Sequence, residues 1–81
     1  MMAKPLPIED RPINLTQVLK RAGLAENGGQ AKALIAEGRV RVNGEVETRK
    51  RRQMAIGDTV EVEGEPPLKL AQQAAEEGGE P

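Results

Sequence analysis

The stretch NGGQAKALIAEGRVRVNG, residues 27–44, restricts this chain more than any other part of it. It opens on a Gly-Gly step, breaks at Gly38 and turns at Asn43-Gly44, so it can hold a short helix and then a hairpin. Asn27 is a good N-cap, and Gln30 three residues later is placed to reach back to it, the capping-box arrangement. Ala31, Leu34 and Ile35 make one short apolar stripe, with Gln30, Lys32, Ala33 and Glu37 on the other faces. Gly28 and Gly29 are poor residues for a first turn; in a helix interior each costs about 0.8–1 kcal/mol relative to Ala. They offer close backbone approach and open N–H groups at a helix N-terminus, a geometry that binds phosphate. On the helix alone, a plain inter-helix loop is the simpler reading.

Asn-Gly is the strongest short-range hairpin signal in the chain. A two-residue turn would pair Arg41 with Val46 and Val42 with Glu45, mixing apolar and charged residues on both faces. A three-residue loop with a bulge at Gly44 pairs Arg41 with Glu45 and Val40 with Val46, and sets Arg39 beside Glu47. It sorts valines inward and charges outward, and is the register expected here.

The rest of the chain reads in order around this stretch. Residues 1–10 contain Pro5 and Pro7 and show no periodicity, which predicts a flexible N-terminal arm. Asn14 caps a first helix, with Gln17 at the capping-box position and Leu15, Val18, Leu19 and Ala22 along one face. Gly23 ends it with a left-handed cap, after which Leu24 can fold back on Leu19. Lys20 and Arg21 lie in its last turn, where they oppose the helix dipole. Four consecutive cations at residues 49–52 follow the hairpin, then Met54-Ala55-Ile56 and a Gly57-Asp58 turn. Residues 59–63 alternate as a half-exposed strand, Pro66-Pro67 breaks it, and Leu68-Lys69-Leu70 is expected to add a short edge strand. Residues 71–81 are small and acidic and predict a disordered tail. The domain proper is therefore expected over residues 11–70, with Leu19, Leu24, Leu34, Ile35, Val40 and Val60 buried together.

At 81 residues, with no Cys and no His, the chain has no disulfide framework, no thiolate or imidazole metal site and no imidazole base. With no Phe, Trp or Tyr, the core must be aliphatic, and bases cannot stack on aromatic platforms. No membrane span or signal peptide is evident, so a soluble cytoplasmic protein is expected. The net charge of −1 conceals a segregation: residues 11–52 carry ten Lys or Arg against four Glu, whereas residues 53–81 carry one Lys against seven acids. A basic segment in a near-neutral chain points to an anionic partner met by one face.

The ordered set Leu15-x-x-x-Leu19-Lys20, Gly23-Leu24, Gly28-Gly29-Gln30-Ala31-Lys32, Ile35-x-x-Gly38, Val40-x-Val42-Asn43-Gly44, Glu47-Thr48-Arg49-Lys50-Arg51 and Gly57-Asp58 resembles the small RNA-binding domain first defined in ribosomal small-subunit protein four, the S-four domain. More narrowly, it resembles the stand-alone bacterial YbcJ-like, ribosome-associated family. The resemblance covers about residues 13–62. It implies an α+β fold: two short helices, arranged helix-turn-helix and then β-hairpin (the alpha-L motif), packed on a small, mostly antiparallel sheet. It also implies RNA contacts from Gly28, Gly29, Lys32, Arg39, Arg41, Asn43, Arg49, Lys50, Arg51 and Arg52. Many relatives carry Ser-Arg where this chain has Gly28-Gly29, which leaves backbone N–H groups as the contacts there.

The expected function is non-catalytic binding of structured RNA, ribosomal or transfer RNA, by a monomer without cofactor, metal or small-molecule substrate. Without aromatics, shape and phosphate contacts are the expected mode. Two other classes stand beside it. A β-grasp sulfur carrier is suggested by Val42-Asn43-Gly44-Glu45 and Gly78-Gly79, but Glu80-Pro81 follows where such carriers end on glycine. A protein-interaction adaptor could use the acidic tail. An enzyme is not expected, because only two Asp accompany the missing His and Cys and no carboxylates pair around a cleft.

Overall fold

Helix ends follow from side-chain chemistry. In the computed structural model, which describes residues 3–9 and 11–72, helix α1 (Leu15–Arg21) starts at Asn14, whose side chain accepts the Gln17 N–H at 2.9 Å. The Gln17 side chain accepts the Asn14 N–H in return, completing the capping box. At the other end Gly23 (φ 77°) donates to the Lys20 carbonyl and Leu24 donates to Leu19, a Schellman ending. Helix α2 (Gly28–Ala36) is capped by Asn27, which accepts the Gln30 N–H at 2.8 Å. The Gln30 side chain reaches past the cap to the Glu26 N–H rather than closing a capping box on Asn27. A second Schellman ending at Gly38 (φ 74°) turns the chain directly into the sheet.

The strands are β1 (Lys4–Ile8), β2 (Ile13–Asn14), β3 (Val40–Val42), β4 (Glu45–Val46), β5 (Gln53–Met54), β6 (Thr59–Val62) and β7 (Leu68–Gln72). Five of them form one sheet in the order β1-β7-β6-β3-β4, and β2 pairs with β5 in a separate two-stranded ribbon. Every pairing is antiparallel except β1 with β7. The α+β class expected from the sequence is therefore the class observed.

Both helices lie on one face of the five-stranded sheet. Leu15, Val18 and Leu19 from α1 and Ala31 and Ile35 from α2 meet Val40, Val42, Val60, Val62 and Leu70 from the strands in a single aliphatic cluster. Leu24 and Leu34, expected inside, are half-buried and pack against the edge of this cluster. Helix α2 is short and aims Ala31 and Ile35 inward, so Leu34 falls on the shoulder of its apolar stripe.

Three local expectations are corrected. The N-terminal segment is a strand, not a loose arm, over residues 4–8: β1 pairs in register with β7, and Ile8 joins the core. Its prolines alternate with its bonded residues. Lys4 N–H donates to the Pro67 carbonyl at 3.0 Å, so the nitrogens of Pro5 and Pro7 fall on the open side of the edge, where no donor is needed. With β1 outside it, β7 is an interior strand rather than an edge, and it runs on to Gln72. The rest of the expected tail, residues 73–81, lies outside the described residues.

The third correction is the hairpin register. Arg41 pairs with Val46 and Val42 with Glu45, across a two-residue turn with Asn43 at φ 53° and Gly44 at φ 87°. Positive φ at both positions is the primed turn whose twist matches the strands, and that local preference overrides the sorting of valines from charges. Val46 consequently faces solvent, while Glu47 is carried to the buried side, its N–H donating to Val40.

With Ile35 in the core and Leu34 on its shoulder, Ile35→Ala is expected to destabilise by about 2–5 kcal/mol and Leu34→Ala by clearly less. Urea titrations of the two variants against the parent check the ranking.

Candidate nucleic-acid interface

The basic run at residues 49–52 is not a loose loop. Its backbone is tied to the start of α1: Leu15 N–H donates to the Arg52 carbonyl at 2.9 Å, and the Lys50 carbonyl accepts both the N–H and the hydroxyl of Thr16, at 3.3 and 2.9 Å. The Arg52 N–H closes a tight turn onto the Arg49 carbonyl at 3.1 Å. First-turn N–H groups of a helix have no partner within it, so a loop carbonyl placed there satisfies them and fixes the loop. Lys50 and Arg51 then project from the tip, exposed and without an acidic partner among the described residues.

Under the run sits a buried carboxylate. The Glu47 side chain, 11% exposed, accepts Arg49 Nε at 2.9 Å, Arg49 Nη2 at 3.0 Å and the Arg49 N–H at 2.9 Å. Arg52 Nε adds a further contact to Glu47 Oε1 at 3.0 Å. Arg49 itself is 74% exposed, so its guanidinium lies across the buried acid with its other edge in solvent. Arg52 is mostly covered and extends toward Asp58 Oδ2 at 3.5 Å. Asp58 also accepts the Ala55 N–H at 2.9 Å and the Asn43 side-chain amide at 3.1 Å. Glu47, Arg52, Asp58 and Asn43 thus form one continuous polar strut between the basic loop and the hairpin turn.

The electrostatics follow from these contacts. The hydrogen bond from the Arg49 guanidinium, helped by the Arg49 N–H and opposed by burial, lowers the Glu47 carboxyl from its ordinary 4.5 to about 2. Burial pushes the Asp58 carboxyl up, but the Ala55 N–H, the Asn43 amide and Arg52 together outweigh it and hold the group below its usual value.

The ten residues picked out in the sequence fall into three groups. Gly28, Gly29, Lys32, Arg49, Lys50 and Arg51 belong to the helix layer or to the loop anchored on it. At Gly28 an added Cβ would meet nothing within 4 Å, and at Gly29 it would meet only the Asn27 side chain at 3.4 Å; neither residue has positive φ. Intramolecular packing therefore does not demand glycine at either position. Arg39 and Arg41 lie on a different surface. Arg41 alternates with the buried Val40 and Val42, so it points from the sheet face away from the helices, in register with Glu61. Arg39 is paired with Glu63 at 3.1 Å and with Glu37 at 3.4 Å. Asn43 and Arg52 make up the third group and are occupied internally: besides bonding Asp58, the Asn43 side chain accepts the Thr59 N–H at 2.9 Å.

Two features of the site escaped the sequence reading. One is Glu47 as the hub of the basic loop, signalled by an acid standing at the head of Glu47-Thr48-Arg49-Lys50-Arg51-Arg52 and by the two-residue parity of the Asn-Gly turn. The other is Thr16, whose hydroxyl anchors the loop and which carried no signal beyond its place in a first helical turn. Among the described residues no group of acids could hold a metal ion, and no helix is long and apolar enough to cross a membrane.

Comparison with known proteins places this geometry among relatives. Residues 6–67 match the family model described as S4 domain. The chain is 43% identical over 63 residues to RlbA of Bacillus subtilis, named as a probable ribosome maturation protein, covering 78% of this chain and 89% of that one. It is 50% identical over 52 residues to YbcJ of Escherichia coli, named as a candidate RNA-binding protein, covering 64% and 74% of the two chains. The solution structure of the Escherichia coli YbcJ, described as revealing an ALFAL motif involved in RNA binding, aligns with a TM-score of 0.59 at 39% identity, covering 88% of this chain and 87% of that one.

Because the folded Glu47 titrates near 2 and an unfolded one near 4.5, its contribution to stability is complete above about pH 4.5 and is lost as pH falls toward 2. Asp58 acts in the same direction. Denaturant unfolding between pH 6 and pH 2 is expected to show a steeper loss of stability for the parent than for Glu47→Gln, which starts lower and has less to lose.

Proposed function

The chain belongs to the S4 domain family, and from that premise we propose that it is a non-catalytic protein that binds structured RNA through its helix layer and the anchored basic loop. The observation that carries the reading is the segregation of uncompensated charge. Lys20, Arg21, Lys32, Lys50 and Arg51 on the helix side have no acidic partner among the described residues, whereas on the opposite face Arg39 pairs with Glu63 and Glu37, and Arg41, which makes no ion pair among those residues, lies in register with Glu61. Phosphate backbones are drawn to the first surface and repelled from the acids of the second.

Gly28 and Gly29 support the same face. Nothing inside the protein requires glycine there, and the open N–H groups at the start of α2 suit a phosphate brought up closely from outside. Without aromatic side chains the protein reads folded backbone and groove shape rather than splayed bases. The names of its relatives favour ribosomal RNA over transfer RNA as the target. On this reading the protein acts as a cytoplasmic monomer, with the RNA as its partner and with no cofactor or small-molecule substrate.

Replacing Lys50 and Arg51 with Ala is expected to weaken binding to a folded ribosomal RNA fragment by about tenfold or more at low salt. The log–log salt dependence should become shallower by up to about 1.4–1.8, the contribution of two phosphates. Stability should move by less than about 0.5 kcal/mol, because both side chains are exposed. Arg41→Ala serves as the control and should change affinity much less. Fluorescence anisotropy at several salt concentrations makes the measurement; equal affinity of parent and double variant at every salt would remove the loop from the interface.

A further inference from the structure

An acid at the head of an anion-binding loop opposes the loop's task unless it does something else. Glu47 cancels charge that phosphates could use, yet it is the most buried acid among the described residues and holds two arginines at once. Its contacts with Arg49 use the Nε and one Nη2 proton, leaving Nη1 and the other Nη2 proton unused on a side chain that is 74% exposed. A long flexible side chain is thereby fixed with its free edge outward, beside Lys50 and Arg51. The same carboxylate holds Arg52 against the fold, where it meets Asp58 and the Met54 sulfur instead of solvent.

We propose that Glu47 is a positioning residue for RNA recognition: it aims the outer edge of Arg49 at a phosphate and withdraws Arg52, so that the loop presents a fixed fork rather than a mobile cluster of four cations. The inference deepens the RNA-binding reading and rests on it. Its consequence concerns selectivity more than affinity. A preset guanidinium loses little rotamer freedom when it meets a phosphate at the expected place, and gains nothing from a flexible strand that offers phosphates anywhere. Removing the carboxylate should make the loop more positive and less discriminating.

The test uses the full chain with two labelled probes of equal length, a folded ribosomal RNA fragment and oligouridine, each titrated at several salt concentrations. For Glu47→Gln the affinity for oligouridine should rise and its log–log salt slope steepen by about 0.7 or more, as freed cations find phosphates. The preference for folded RNA over oligouridine should fall about tenfold, the worth of one charge-assisted hydrogen bond. Arg49→Lys keeps the charge, loses the fork and leaves Glu47 paired with Arg52; it should lose a similar preference with the parent's salt slope, and carries the test should Glu47→Gln fail to fold. A parent that binds neither probe overturns the RNA reading itself. A parent that prefers folded RNA, with that preference unchanged in a folded Glu47→Gln and in Arg49→Lys, overturns the role of Glu47 and leaves the RNA reading standing.

Discussion

The turn at Asn43-Gly44 decides more of this molecule than its two residues suggest. Strand side chains alternate, so one residue more or less in the turn would exchange the faces of everything that follows in β4. Two residues with positive φ are used, and Glu47 falls opposite Val40 on the buried side. A carboxylate delivered there must be paired or be strongly destabilising. Arg49 and Arg52 pair it, Arg52 extends to Asp58, and Asp58 returns through Asn43 to the turn itself. The basic loop is therefore shaped by the same constraint that sets the hairpin register.

The aliphatic core works with this polar strut by a different route. Among the described residues thirteen, none aromatic, make the buried cluster, so no side chain contributes the large contact area that Phe or Trp would bring. Stability is gathered instead from many modest burials and from the pairing of β1 with β7 at one edge of the sheet. Strand β1 adds Ile8 and β7 adds Leu70, and the parallel pairing between them joins segments far apart in sequence. With the helices on one face of this sheet, the other face is free to carry Glu61 and Glu63, with Arg41 and Arg39 beside them.

What could be read in advance was what local chemistry decides alone. Asn14 and Gln17, Asn27, Gly23 and Gly38 marked helix ends because caps are made by residues within one turn of each other. The family pattern, carried by residues spread from Leu15 to Asp58, gave the fold class. What could not be read depended on partners distant in sequence. Lys4–Ile8 looked unstructured because its prolines are acceptable only when another strand occupies the bonded side, and that strand is β7. The wrong hairpin register came from judging charges by face preference alone, without the arginines that make an inward Glu47 tolerable. The family resemblance groups Arg39 and Arg41 with Lys32 and the loop, although strand alternation separates Arg41 from the helix layer.

On the proposed reading, one side of the protein, the helix layer with its anchored loop, meets RNA. Amide chemical-shift mapping during titration with a folded ribosomal RNA fragment tests it most directly, because it reports every backbone position at once. Shifts are expected across α1, over residues 28–32 and at residues 48–52, with Thr16, Gly28, Gly29, Lys50 and Arg51 foremost and little change along β6 and at Arg41. Shifts concentrated at Arg39, Arg41, Glu61 and Glu63, with the loop and the α2 N-terminus unmoved, would contradict it.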